Sequence, residues 1–461
     1  MMFIPDDTIA ALSTPPGEGG VGVIRLSGNK ALSIAEKIFH PLRAGSRIRH
    51  YRLRLGWIKD PETKEIIDEA LLAFMQAPYS FTTQDVVELQ VHGGMVALKK
   101  ILTLCLKSGA RLAEPGEFTR RAFEGGRIDL LQAESTLEII RAKTEAALTG
   151  AASQLNGDLS LKIKDLRRRL IGWLTQVEAE LEFPEEDVSY LDRPDLSLQF
   201  KTALADLKEL LSGAEKGKLI RDGVSLVIAG RPNVGKSSLL NQLLGEDRAI
   251  VTEIPGTTRD TVEEWFNLYG GLVRLIDTAG IRHPKDEIEQ LGIERTRHNL
   301  AKADLVYLVL DAGKPLAPED LALIKETESR YRFCLLNKAD LETRTKAEDL
   351  TGFLPVSQIF LVSAKTGLGI NTLLKATHDF ISNRLIKPGE SLLVLNLRQR
   401  ESLRKAELAL KRAKAHLDKG LSEEFIALDL RQGVENLGEL SGENLSEEIL
   451  DRIFSEFCIG K

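Results

Sequence analysis

The sequence predicts a chain of α/β and all-α parts in several domains. It has an N-terminal α+β domain, an all-α domain split along the chain, and an inserted P-loop domain with a mainly parallel sheet. Three observations predict this. At 461 residues the chain exceeds one ordinary core, so two to four domains are expected. Between 217 and 383, short apolar runs each end in a polar or glycine-rich motif. Helical periodicity flanks that segment on both sides, and domains whose termini lie close together are readily inserted into others.

Residues 1–118 mix short apolar runs with glycine turns. VGVIRLSG (21–28) and VVELQVHGG (86–94) read as strands that break at glycine. KKILTLCLKSGARLAEPGEF (99–118) opens as an amphipathic helix that stops at Gly109. From 119 to 216 the pattern is helical. Leu159, Ile163, Leu166, Leu170, Trp173, Val177 and Leu181 form one apolar stripe, with RRR (167–169) largely off it and Pro184 just past its end.

Within 217–383, VSLVIAG (224–230), LVRLID (272–277), DLVYLVLD (304–311), FCLLNK (333–338) and IFLVSA (359–364) read as strands with helices between them. Residues 384–461 return to helix. Leu403, Ala406, Leu410, Ala413 and Leu417 make a second stripe that ends near Gly420.

Composition excludes several classes. The net charge of −6 gives no general attraction to nucleic acid, so RNA would need a local basic patch or a partner. Basic stretches at 167–169, 398–405 and 411–414 are candidate patches, with solvated helix faces the default reading. No apolar run is long enough to span a bilayer, and MMFIPDDTIAAL lacks signal-peptide architecture. Three scattered cysteines, Cys105, Cys334 and Cys458, give no disulfide framework and fit a cytoplasmic location. The seven histidines do not cluster, so no zinc or iron site is expected.

GRPNVGKS (230–237) fits G-x-x-x-x-G-K-S/T after a strand and at the start of a helix. Gly230 and Gly235 let backbone N–H groups curl around phosphate oxygens, and the helix N-terminus adds positive potential. Lys236 reaches toward the β- and γ-phosphates, and Ser237 is placed to ligate Mg²⁺. Asp277 and Gly280 of DTAG supply a metal second shell and a γ-phosphate amide. In NKAD (337–340), Asp340 offers two oxygens to the N1–H and N2–H₂ donors of guanine, which adenine lacks. Asn337 and Lys338 brace the base and the loop, and SAK (363–365) adds a donor for guanine O6. Four motifs in order, each at a strand end, predict a G domain selective for GTP. Thr257 and Thr258, in TEIPGTTRD (252–260), are the candidates to sense Mg²⁺ and γ-phosphate. Ile281 stands near where many GTPases place a water-orienting glutamine, and it cannot hold water.

Taken together, the chain resembles the tRNA-modification GTPase family usually called MnmE or TrmE, nearly end to end. The resemblance rests on STPPGEGGVGVIRLSG (13–28), SFTTQDVVELQVHGG (80–94), EPGEFTRRAFEGGRIDLLQAE (114–134), GRPNVGKSS (230–238), IPGTTRD (254–260), DTAGIR (277–282), NKAD and the terminal CIGK (458–461). It implies four parts. These are a folate-binding-like dimerisation domain (1–118), a first helical part (119–216), a Ras-like G domain (217–383) and a second helical part carrying the CIGK tail (384–461).

Carried over residue by residue, nucleotide contacts fall on Asn233, Val234, Gly235, Lys236, Ser237 and Ser238. They continue on Thr252, Glu253, Ile254, Pro255, Gly256, Thr257 and Thr258, then on Asp277, Thr278, Ala279 and Gly280. Asn337, Lys338, Asp340, Ser363, Ala364 and Lys365 complete the set. The resemblance implies that Glu289 activates water through a second water. It also implies that a bound K⁺ replaces an arginine finger, with ligands at Asn233, Thr252, Ile254 and Thr257, and that Mg²⁺ sits on Ser237 and Thr258.

The resemblance further implies a homodimer whose G domains meet when GTP and K⁺ are bound. The flavoprotein usually called MnmG or GidA would be the partner, in a heterotetramer. The pair would install a carboxymethylaminomethyl-type group at C5 of the wobble uridine of certain tRNAs. The one-carbon unit would come from a tetrahydrofolate derivative, 5,10-methylene or 5-formyl. Arg25, Glu88, Arg127 and Lys461 map onto the folate contacts. Position 127 is often lysine in the family, and Gln399 stands where many members carry histidine. For Cys458 the bland reading is a small buried apolar residue, against which stands the usual fraying of C-terminal tails; the other reading is a nucleophile or proton donor held near the folate site by Lys461. A regulatory or ribosome-assembly GTPase is the competing reading, but it has no need of the N-terminal blocks or CIGK.

Overall fold

The structure is a computed structural model that describes residues 7–43, 48–182, 192–245, 264–268, 271–276, 300, 303–384 and 395–461. The chain divides into two compact units. One is Met1–Ile140, Ser153–Leu204 and Ser402–Lys461; the other is Arg141–Ala152 and Ala205–Glu401. The first unit therefore holds the N-terminal sheet and most of the helices on either side of the α/β segment.

In the first unit, strands β1 (Ile9–Leu12), β2 (Gly22–Ser27), β3 (Phe39–Pro41), β4 (Arg54–Lys59), β5 (Ile66–Met75), β6 (Val86–Val91) and β7 (Arg111–Leu112) form a seven-stranded sheet, ordered β3-β4-β5-β6-β2-β1-β7. Its pairs are antiparallel except β1 with β7. Helices α1 (Ala31–Ile38) and α2 (Met95–Lys107) cover one face, where Ile24, Leu26, Leu72 and Leu89 meet Ile34, Ile38, Leu98 and Ile101. The strand period of two sends alternate residues to the other face. There Ile9 and Ala11 pack with Ala113 and Phe118, and Phe81 borders them. Phe118 belongs to α3 (Glu117–Glu124).

The predicted helices are present. Next come α4 (Leu130–Arg141), α5 (Glu145–Asn156), α6 (Asp158–Glu182) and α7 (Arg193–Asp222). Along α6 the stripe from Leu159 to Val177 is buried, whereas Leu181 in the last turn is exposed. The second stripe, Leu403 to Leu417, is likewise the buried face of its helix.

In the second unit, β8 (Val224–Ala229), β9 (Glu264–Leu268), β10 (Gly271–Leu275), β11 (Leu305–Asp311), β12 (Arg332–Asn337) and β13 (Ile359–Leu361) are ordered β13-β12-β11-β8-β10-β9. All neighbours are parallel except β9 with β10. Every residue of β8, β11 and β12 is buried, as expected for parallel strands covered on both faces. One face packs Leu226, Tyr307 and Leu335 with Leu239 and Leu243 of α8 (Lys236–Leu243) and Leu373 of α10 (Ile370–Arg384). The other packs Val227, Leu308 and Leu336 with Ile324 of α9 (Pro318–Glu326). Strand β8 lies between β10 and β11, so its C-terminal loop opens at the point where strand order reverses. Open α/β sheets bind ligands at that point.

Helix α11 (Leu397–Asp418) is followed by α12 (Glu423–Ser441) and α13 (Glu447–Ser455). Gln399 has a local job at the start of α11. Its N–H donates to Asn396 Oδ1 at 2.8 Å, and its Oε1 accepts the Asn396 N–H at 3.1 Å. This reciprocal pair is a capping box, and Gln399 is only 1% exposed.

Candidate functional site

Strand β8 ends at Ala229, the loop 230–235 turns, and α8 begins at Lys236. Gly235, the N-cap of α8, has φ +100°. A Cβ there would lie 2.2 Å from Asn337 Nδ2, so both backbone angle and space require glycine. Asn233 also lies in the left-handed region, at φ +63°, with its side chain exposed. Lys236 Nζ donates to the carbonyls of Gly230 at 2.7 Å and Arg231 at 2.8 Å. Burial pushes its ammonium below the usual lysine value. Ser237 and Ser238 are exposed in the first turn. Val234 is buried, and its carbonyl accepts Asn337 Nδ2 at 2.8 Å.

Asn337 joins two motifs. Its other amide atom, Oδ1, accepts the Ala364 N–H at 2.9 Å. The residue is 2% exposed, so this brace works away from water. Asp340 is exposed and accepts the Ser363 hydroxyl at 2.7 Å, and that bond holds its carboxyl below the usual carboxylate range. Ser363 is fully buried, while Lys365 is exposed. Lys338, at φ +67°, places Nζ 2.7 Å from Asp311 Oδ2. Burial raises the Asp311 carboxyl, but the Lys338 ammonium and the Gly313 N–H outweigh it, and the net shift is down.

The structure thus gathers Asn233, Val234, Gly235, Lys236, Asn337, Lys338, Asp340, Ser363, Ala364 and Lys365 at the C-terminal ends of β8 and β12 and in the loop after β13. The expectations for Thr252, Glu253, Ile254, Pro255, Gly256, Thr257 and Thr258 fall on residues outside those described. So do those for Asp277, Thr278, Ala279, Gly280 and Glu289.

A second constellation lies on the sheet face opposite α1 and α2. Arg25 and Glu88 are direct partners in the β2–β6 register. Arg25 Nε and Nη2 lie 2.9 and 2.8 Å from Glu88 Oε1. Both side chains remain about one-fifth exposed, at 18% and 20%. Arg25 Nη1 also donates to the Gly460 carbonyl at 3.3 Å, and its guanidinium stands over the Phe118 ring. Arg127 donates to the Ser80 carbonyl at 2.8 Å and stands over Phe81, which packs in the same apolar cluster as Phe118.

The C-terminal tail completes this site. The Lys461 carbonyl accepts the Phe118 N–H at 3.2 Å, the Cys458 carbonyl accepts the Gly116 N–H at 3.4 Å, and Ile459 bridges Pro115. Backbone bonds pin the tail, and Cys458 is exposed, which disfavours its reading as a small buried apolar residue.

Several supporting residues stand outside the predicted site set. Asp311 and Asp320 hold cations of the nucleotide loops. Phe81 and Phe118 lie under the two arginines, and Gly460 turns the tail. An acid ending an apolar run (LVLD) and an acid three residues beyond Ala317 (APED) were available signals for the first pair. The basic stretches at 167–169 and 411–414 are engaged in ion pairs within their own unit. Arg167 pairs with Glu443, Arg412 with Asp429, Lys411 with Glu407 and Lys414 with Asp418. Among the described residues, no helix is long and apolar enough to cross a membrane, and no group of acidic, His or Cys side chains could hold a metal.

A P-loop after β8, the first strand of its sheet, braced by the asparagine of a guanine-selective motif, defines a GTP-binding protein of the P-loop class. Two family models match the chain: the GTP-binding protein TrmE N-terminus over residues 8–127 and the MnmE helical domain over 130–458. The chain belongs to the family of tRNA modification GTPases called MnmE. A relative so named from Moorella thermoacetica is 45% identical over 462 residues, covering 99% of this chain and all of the relative. Another from Natranaerobius thermophilus is 43% identical over 456 residues, with 99% and 100% covered. Among solved structures, the G domain of the T. maritima FeoB iron transporter is 28% identical, over 34% of this chain and 98% of that one, with a TM-score of 0.27.

Proposed function

We propose that this chain is the GTP-hydrolysing component of a two-protein enzyme acting on tRNA in the cytoplasm. With a flavoprotein partner of the MnmG type, it adds a carboxymethylaminomethyl-type group at C5 of the wobble uridine of certain tRNAs. The carbon comes from a tetrahydrofolate derivative. The observation that carries this reading is the meeting of Arg25, Glu88 and the Gly460 carbonyl on one sheet face. A regulatory or assembly GTPase has no use for such a constellation.

The residues present fit both ligands. Glu88 bonds Arg25 through Oε1 alone, and its second oxygen is suited to the amine and N–H edge of a pterin. Arg25, Arg127 and Lys461 supply positive charge for a glutamate tail. At the nucleotide site, exposed Ser237 in the first helical turn suits Mg²⁺, and Asn233, held at positive φ with its amide exposed, suits K⁺. When bound, the monovalent ion supplies the positive charge that an arginine finger provides in other GTPases, worth about 10³–10⁵ in rate. Lys236 meets the developing charge on the phosphates, Glu289 positions water, and Asp340 selects guanine. Thr252, Ile254, Thr257 and Thr258 complete the metal shells. Cys458 stands exposed beside the folate face as the candidate nucleophile or proton donor.

The chain would work as a homodimer through its N-terminal domain, within a heterotetramer with the flavoprotein. Calorimetric titration of the full chain with 5-formyl-tetrahydrofolate tests the reading. Saturable binding that is lost in Glu88→Gln and Arg25→Ala is expected. Absence of binding at saturating ligand would count decisively against the folate role.

A further inference from the structure

Arg231 is the second residue of the P-loop, yet its side chain turns away from the phosphate cradle. Its Nε donates to Asp320 Oδ1 at 2.8 Å, and Glu319 lies 3.7 Å from the guanidinium. The Asp320 side chain is 4% exposed and that of Arg231 28%. Asp320 Oδ2 accepts the Ala317 N–H at 3.0 Å, which caps α9. Both carboxylate oxygens are therefore engaged, as a buried charge requires.

The consequence reaches Lys236. Its ammonium rests on two carbonyls, those of Gly230 and Arg231, and the second belongs to the residue that Asp320 holds. A short chain of contacts runs from the buried carboxylate through Arg231 to the catalytic lysine. It also keeps the Arg231 charge committed, so phosphates meet the loop amides and Lys236 rather than a second, mobile cation.

We propose that Asp320 is a positioning residue for nucleotide binding: by anchoring Arg231 it fixes the entry of the P-loop and the carbonyls that hold Lys236. The proposal rests on the reading of this loop as the GTP site and adds a residue outside the nucleotide motifs to it.

Asp320→Asn separates positioning from helix capping. Asparagine keeps an oxygen for the Ala317 N–H, but it cannot neutralise Arg231. Equilibrium binding of a fluorescent GDP analogue to the full chain is the readout, with melting temperature measured alongside. We expect about tenfold weaker GDP binding in Asp320→Asn, the scale of one charge-assisted hydrogen bond. Arg231→Ala should lose a similar factor, Arg231→Lys should recover part of it, and the double variant Asp320→Asn/Arg231→Ala should lose no more than either single.

A lowered melting temperature with unchanged GDP affinity would overturn the proposal. So would losses that multiply in the double variant. If Asp320→Asn does not fold, the Arg231→Ala and Arg231→Lys pair decides, and unchanged affinity in Arg231→Ala overturns it. Wild type that binds no GDP would remove the GTP-site reading itself; binding wild type with unaffected variants removes only the Asp320 role.

Discussion

Asn337 donates its side-chain N–H to the carbonyl of Val234 across 2.8 Å, tying the base-recognition strand to the phosphate loop. Asn337→Ala would orphan this carbonyl and the Ala364 N–H, both buried. Each orphaned group costs about 1–3 kcal/mol. GDP affinity should fall roughly 10- to 100-fold or more. Gly235→Ala should do at least as much, because its Cβ would enter the same asparagine at 2.2 Å. Fluorescent-nucleotide titration checks both.

Asp340→Asn should exchange the carboxylate acceptors for one acceptor and one donor. That pattern suits xanthine better than guanine. Competition by GTP should weaken by on the order of a hundredfold while competition by xanthosine triphosphate strengthens. Retained GTP preference would show that Asp340 does not read the base. Ser363→Ala should show the smaller loss expected when the carboxylate keeps its charge but loses the hydroxyl that orients it.

Glu117 sits among Arg111, Arg121 and the Glu114 N–H. Burial raises its carboxyl, but these partners outweigh burial and set it below the ordinary 4.5. A depressed folded value means that the unfolded state takes up protons first as pH falls. The stabilisation is therefore present above about pH 4.5 and is lost as pH drops through the folded value. Glu117→Gln should be less stable at pH 7 and show a shallower loss of melting temperature between about pH 5 and 3. A parallel acid profile in the variant would show that other carboxylates govern the acid transition.

Gly460 has φ +93°, and a Cβ there would lie 2.4 Å from the Leu12 carbonyl. Gly460→Ala should undock the tail from Arg25 and Phe118. The expected result is at least about tenfold weaker binding of 5-formyl-tetrahydrofolate, with GDP affinity unchanged. Equal folate affinity in the variant would mean that the docked tail contributes nothing to that site.

Much of the fold was legible because parallel strands buried on both faces write themselves as apolar runs. VSLVIA, LVYLVLD and RFCLLN are examples. The edge strand β9, EWFNL, was not read, since it pairs on one side only. In the N-terminal sheet β2 and β6 were legible, but β5 carries Asp68 and Glu69 within its run and β4 carries Arg54 and Gly56.

The nucleotide loops were legible as contiguous motifs. The meeting of Arg25 with Glu88 depends on strand register across 63 positions, which residue types alone do not fix. Likewise, nothing local in APED tells that Asp320 faces Arg231, 89 positions away.

The most direct test of the account is the initial rate of GTP hydrolysis in KCl against NaCl at matched ionic strength. Wild type would run beside Asn233→Ala and Glu289→Ala. The account predicts a large potassium-specific gain, lost in Asn233→Ala, with Glu289→Ala slow in both salts. Equal wild-type rates in the two salts would contradict it and point instead to an arginine supplied by a partner.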